Sequence, residues 1–387
     1  MLFDTRPKER KEDLYDRERE VNDIRESVER GIWVAVYGVK RIGKTSVVNV
    51  AVNDPKYIVV KLNMMRLYSP KAKRYSRAEF FRVFLEGLNE AIRRYTLGGR
   101  VVRFLSNVLG IDEGSAIELN SVRVRARLRR LRGEDVSTLI RELDQLASDQ
   151  RRRLVLVIDE AQEMMKVSGI NFPSVFHDVY DYCKSTAIAF TGSSVGLLER
   201  ALKNLEYERP FFGRYIRKIK LERFSEEMSR DFLKRGFEEE EVKVEEKVIE
   251  EAVRRFDGIP GWLTFFGAEY SFRAKRGERA NIDEIEEMAV NEVKAEFRDF
   301  LLSSQAPERY AWAVMALDRL GGKGTLNEVT KAVNAIYGEV PEPRVYELLN
   351  RLVDLGFIDK EGEEYRLPSD TPGRKGLVLA SKEVVRP

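Results

Sequence analysis

A chain of 387 residues, 43% apolar and 34% charged, is long enough for two or three domains with full cores. Its 68 basic and 65 acidic side chains leave a net charge of only +3, so any nucleic-acid surface must be local. No stretch reaches the eighteen or more apolar residues of a membrane helix, the start lacks the apolar core of a secretory leader, and a single cysteine excludes an internal disulfide.

A reducing cytoplasm is therefore the expected location. Only four glutamines stand beside abundant Lys, Arg and Glu, a bias that points to a heat-adapted source. Residues 1–31 are charge-dense, and from Asp16 as N-cap an amphipathic helix is expected to lead into the first strand. That strand is the β-branched run 32–37. It is followed by Gly38-Val39-Lys40-Arg41-Ile42-Gly43-Lys44-Thr45, which fits G-x-x-x-x-G-K-[ST], and by an apolar helix opened by Ser46. Glycines at both ends of the loop let successive N–H groups turn inward on a polyphosphate, and the helix N-terminus adds positive potential. Lys44 then reaches the β- and γ-phosphates, and the Thr45 hydroxyl suits a Mg²⁺ ion.

A second strand is expected at 57–62, and a packing helix over 77–95 carries Phe80, Phe81, Phe84, Leu85, Leu88 and Ile92 at helical spacing. Residues 121–132 alternate in period two, with Arg123, Arg125, Arg127 and Arg129 on one face. A charged edge strand in solvent accounts for this pattern; so does a surface for phosphodiesters, of which it is this chain's best candidate. The run 154–158 is continuously apolar, as in a strand buried on both faces, and ends in Asp159-Glu160. Two carboxylates at the mouth of a buried strand need a cation or polar ligand: Asp159 near Mg²⁺, Glu160 polarising a water.

The strand 186–190 closes in Thr191-Gly192-Ser193-Ser194. Ser193 is a candidate γ-phosphate sensor, although turn chemistry alone also explains these residues. Arg200, Arg209 and Arg214 are candidates for a cation that neutralises the departing phosphoryl charge, with Arg214 held by an aromatic-glycine corner. Cys183 falls on an apolar helix face and is expected in the core; His177, the one histidine, is expected to be structural. From 221 four helical patterns follow, with a rigid turn at Asp257-Gly-Ile-Pro260. After 304 come three helices, the second opened by a Thr325/Glu328 capping box, and a hairpin of 357–358 and 365–367 around a turn at 359–362. Three helices and a wing are the signature of a winged helix-turn-helix. Thirteen acidic and twelve basic residues after 304 make poor electrostatics for DNA.

Taken together, 14–20, 38–45, LVLVIDEAQ at 154–162, Thr191-Gly-Ser-Ser194, Gly213-Arg214 and Gly258-Ile-Pro260 resemble the archaeal ATPase family, a branch of the AAA+/STAND P-loop ATPases, over nearly the whole chain. The resemblance implies an α/β P-loop fold, with a parallel sheet flanked by helices, an all-α lid and a winged helix. It implies ATP or ADP with Mg²⁺ as ligands, and base- or ribose-side roles for Tyr15, Arg17 and Pro260. One departure is the absence of an arginine after the lid turn, in Gly261-Trp-Leu, which leans toward a slow, switch-like cycle. The expected divisions are a segment at 1–31, the ATPase core at 32–220, the lid at 221–303 and the winged helix at 304–387. Lys44, Glu160, Ser193 and Arg214 would do the chemistry, and Thr45 with Asp159 would hold the metal. The output would be a switch acting through a protein partner or self-association; the alternative is an ATP-controlled DNA-binding protein related to replication initiators or loaders.

Overall fold

The computed structural model describes residues 1–67, 74–95, 131–192 and 215–385. Helix α1 (Glu18–Glu29) turns Val21, Ile24 and Val28 inward, the amphipathic face expected of it. Its start is a correction. Arg17, not Asp16, occupies the cap position, and both have positive φ (93° and 51°), so a tight backbone turn, not a side-chain cap, sets the helix entry.

Strands β1 (Trp33–Tyr37), β2 (Tyr57–Asn63), β3 (Arg153–Asp159), β4 (Thr186–Gly192) and β5 (Ile216–Lys220) form one parallel sheet in the order β2-β3-β4-β1-β5. The apolar runs of β1, β3 and β4 follow from burial on both faces, while edge strand β5 alternates Ile with Lys and Arg. Val34, Val36, Val155 and Val157 share a core with α1 and α2 (Lys44–Val52). Trp33, Ala35, Leu154 and Leu156 face the other layer, formed by α3 (Arg77–Tyr95), α4 (Gly133–Asp149) and α5 (Phe172–Tyr182). Helix α4 and edge strand β5 are elements that the sequence pattern did not announce. Cys183 is buried in the second of these cores, as expected.

Four helices follow the sheet: α6 (Glu226–Glu239), α7 (Glu246–Phe256), α8 (Pro260–Lys275) and α9 (Ile282–Ser303). Ser225 and Asn281 cap α6 and α9 through their side-chain oxygens. The charge-dense start of the chain is not wholly solvated. Leu2 and Phe3 are buried, and the Phe3 ring packs edge-on against Phe237 (5.0 Å) and Phe232 (5.8 Å) of α6.

The last region holds α10 (Pro307–Arg319), β6 (Lys323–Thr325), α11 (Leu326–Tyr337), α12 (Glu342–Asp354), β7 (Asp359–Glu361), β8 (Glu364–Arg366) and α13 (Thr371–Val384). The capping box at Thr325 and Glu328 forms. The hairpin is a second correction: 359–361 is strand, not turn, and the chain reverses at Gly362 and Glu363. Phe357 and Ile358 are instead core residues, with the Phe357 ring 4.8 Å from Phe297 of α9. Strand β6 adds an edge, giving the order β6-β8-β7. Helix α13, absent from the sequence reading, packs along α9, with Gly376 against Val293. Among the described residues no helix is long and apolar enough to cross a membrane.

Candidate active site

In a parallel sheet all strands deliver their carboxyl ends to one edge, and ligands bind outside it. Strand β4 lies between β1 and β3, with Val36 opposite Thr191 and Ile158 opposite Phe190, so the loop after β1 and the acids after β3 arrive side by side. Gly43, at φ 95°, occupies the left-handed region open to glycine and caps α2, whose first turn carries Lys44, Thr45 and Ser46. The Thr45 hydroxyl donates to Asp159 Oδ2 at 3.2 Å, joining residues 114 apart in sequence. Lys44 Nζ donates to the carbonyls of Gly38 and Val39, at 3.0 Å each.

These groups are held out of water. Lys44 is 6% exposed, and burial pushes its ammonium down to about 8 against the opposing pull of Glu160 and Asp159. Burial likewise raises the Asp159 carboxyl, opposed most by the hydrogen bond that Thr191 Oγ1 donates to Oδ1. Thr191 also accepts the Glu160 N–H at 3.4 Å. A desolvated ammonium at a loop of amides suits phosphate oxygens, and a hydroxyl beside a carboxylate suits a hard cation that keeps most of its waters. Among the described residues no group of three or more His, Cys, Asp or Glu could hold a metal, so such a cation would depend on the Thr45–Asp159 pair. His177 stands apart on α5, with Nε2 3.5 Å from Asp181 of the same helix.

A cavity of about 780 Å³ opens above the loop, within the range of small-molecule sites. Its wall draws on distant parts of the chain: Lys8 from the start, Thr45 and Glu160 from the sheet edge, Pro260 from α8, Glu296 from α9 and Phe357 from the last region. Tyr15 and Arg17 line it as well. The Tyr15 hydroxyl donates to Asp231 of α6 at 2.6 Å, which helps burial to raise the phenol's pKa, and its ring meets Phe224 edge-on at 5.4 Å. Arg17 is buried, donates to the Glu222 carbonyl and lies 4.9 Å over the Phe224 ring. Both thus brace the wall through α6 and the segment before it.

Two loop cations point elsewhere than the loop's own centre. Lys40 Nζ is 2.5 Å from Glu296 Oε1 and 4.3 Å above the Phe357 ring. Arg41 stacks 4.2 Å over Trp262 of α8 and reaches Glu292 at 3.5 Å, while its carbonyl accepts the Gly261 N–H at 2.9 Å. Ile42 is buried beneath the loop, and Ser46 Oγ accepts the Lys8 N–H at 3.0 Å. Ser193, Arg214 and the arginines Arg123, Arg125, Arg127 and Arg129 lie outside the described residues.

Sequence reasoning missed Thr191, Leu2 and residues 4–8 as parts of this site. The hydroxyl sits on a strand end where only the register reveals its neighbour. The apolar pair Leu2-Phe3 was a signal, submerged in the charges that follow it.

A sequence profile described as an ATPase domain predominantly from Archaea matches residues 14–266. The Walker-type ATPase PABY2304 of Pyrococcus abyssi is 29% identical, with a TM-score of 0.75 over 97% of this chain and 99% of that one. The ORC2 protein of Aeropyrum pernix, in ADPNP-ADP complexes, matches at 14% identity and a TM-score of 0.59 over 99% and 96% of the two chains, a likeness of fold. None of the curated protein sequences matches this chain significantly.

Proposed function

From the premise that this chain belongs to the family of ATPase domains found predominantly in Archaea, we propose that it binds ATP with Mg²⁺ in the cavity above residues 38–45 and hydrolyses it slowly, as a STAND-type switch of the cytoplasm. The observation that carries the reading is the meeting of Lys44, Thr45 and Asp159 across 114 residues. The loop amides and Lys44 hold the phosphates. Thr45 and Asp159 hold the metal, which when bound would offset the charge on the phosphate oxygens. Thr191 fixes the Asp159 carboxylate. Glu160 orients a water and polarises it, so that its oxygen bonds to the terminal phosphorus while the bond to the ADP oxygen breaks. Tyr15, Arg17 and Pro260 wall the base side. The roles given to Ser193 as sensor and Arg214 as neutralising cation remain part of the proposal.

The output of the cycle is a change in how the lid (221–303) and the last region (304–387), taken as a winged helix, sit on the ATPase core (32–220) with its leading segment (1–31). Lys40 and Arg41 support this, because the phosphate loop itself grips Glu296, Trp262 and Phe357. A protein partner or self-association, not DNA, is the outlet we favour. On α12 Arg344 is paired with Glu347, and in the wing Arg366 is paired with Glu361 and Glu364, so acidic side chains stand beside these arginines and would repel a phosphodiester.

The test is equilibrium binding of ATP with and without Mg²⁺. Binding is expected to depend on Mg²⁺ and to weaken at least tenfold in Lys44→Ala. Equal affinity in Lys44→Ala, or no Mg²⁺-dependent binding, would overturn the reading.

A further inference from the structure

Gln162 follows the acidic pair in a short helical turn (Ala161–Lys166) and lines the same cavity as Lys44 and Glu160. It is 6% exposed, its Nε2 donates to Glu160 Oε2, and its enclosed Oε1 accepts no hydrogen bond among the described residues. Packing does not account for a glutamine here, because methionine would fill the same volume without burying an orphaned acceptor. Glu160 itself has a left-handed backbone, φ 52° and ψ 51°, at the mouth of β3.

Resting on the hydrolytic role given to Glu160, we propose that Gln162 is a positioning residue for the reaction: its amide N–H fixes the Glu160 carboxylate in the orientation that polarises water. The donor is worth its buried oxygen because a carboxylate turned away from the attacking water loses most of its effect, and site residues are where local packing rules give way. Gln162 acts on turnover and not on nucleotide affinity, since Lys44 and the loop amides hold the phosphates without it.

The experiment compares kcat, KM and equilibrium ATP affinity in the wild type, Gln162→Met, Gln162→Glu, Glu160→Gln and the double variant Glu160→Gln/Gln162→Met. Gln162→Met keeps the volume and removes the donor; it is expected to lower kcat about 10- to 100-fold, with KM and ATP affinity within about twofold of wild type. Gln162→Glu sets a second carboxylate against Glu160 and is expected to lower kcat at least as far. In the Glu160→Gln background, Gln162→Met is expected to add nothing, because the group it acts through is gone. A Gln162→Met effect that persists in full in that background, an unchanged kcat in Gln162→Met, or a parallel loss of ATP affinity would overturn the proposal. Should Glu160→Gln itself turn over at the wild-type rate, the role of Glu160 falls and this inference falls with it; a slow Glu160→Gln beside a fully active Gln162→Met sinks the inference alone.

Discussion

Thr191 is wholly buried at the end of β4, and its hydroxyl is committed to Asp159, opposing in part the burial that raises that carboxyl. Thr191→Val keeps the shape and removes the donor, so Mg²⁺-dependent ATP binding is expected to weaken about tenfold or more while metal-free nucleotide binding changes little. Titrating Mg²⁺ at fixed ATP measures it, and an unchanged Mg²⁺ midpoint would refute it. The sequence led to Ser193 as a γ-phosphate sensor because it offers a hydroxyl at a strand's carboxyl end, and that residue lies outside the described ones; the Thr191–Asp159 contact comes instead from the parallel register of β3 and β4, which composition does not display. Cys183 was legible from helical spacing alone. Burial pushes its thiol up to about 12, far from the thiolate that alkylating reagents attack, so labelling at pH 8 is expected only on unfolding. Mass-spectrometric detection of rapid labelling in the native protein would contradict this.

Among the elements, the turn between α7 and α8 is the one on which the approach of α8 to the loop depends. Gly258 has φ 67°, its carbonyl accepts the Phe224 N–H at 2.9 Å, and an added Cβ would stand 2.1 Å from the Phe224 carbonyl oxygen. Gly258→Ala is therefore expected to cost about 2–3 kcal/mol in urea unfolding, against a few tenths for a surface glycine. The Gly-x-Pro pattern announced a rigid turn here, and α6, α7 and α9 were legible because each keeps its apolar face in phase over three or more turns, whereas α8 carries apolar residues around its whole circumference. Three-residue strands carry no such period. Hence 359–361 passed for a turn: its polar residues pair in the ladder through backbone groups that sequence does not display. The entry to α1 was obscured for a similar reason, since Asp16 and Arg17 adopt positive φ without a glycine to signal it.

At the scale of the whole molecule, the nucleotide core was legible because its motifs are chemical, whereas the joining of helices α6–α9 to the last region was not, because it is made by packing between distant segments. Helix α13 lies along α9, Trp262 Nε1 donates to the buried Asp370 at 3.1 Å, and Phe357 packs edge-on against Phe297 and tilted against Phe300. Helices α6–α9 and the β7–β8 hairpin thus share one core, and the latch of Glu292 and Glu296 on Lys40 and Arg41 fastens that body to the phosphate loop. Glu292→Gln with Glu296→Gln leaves both loop cations without their acidic partners on α9. If lid and last region move as a unit, hydrogen exchange in the nucleotide-free protein is expected to rise together in α8, α9 and α13 and to fall again with ATP and Mg²⁺. Faster exchange in α8 and α9 with α13 still protected would mean that the two regions separate. In that case the α9–α13 contact, and not the loop, would be the joint at which the nucleotide signal is lost.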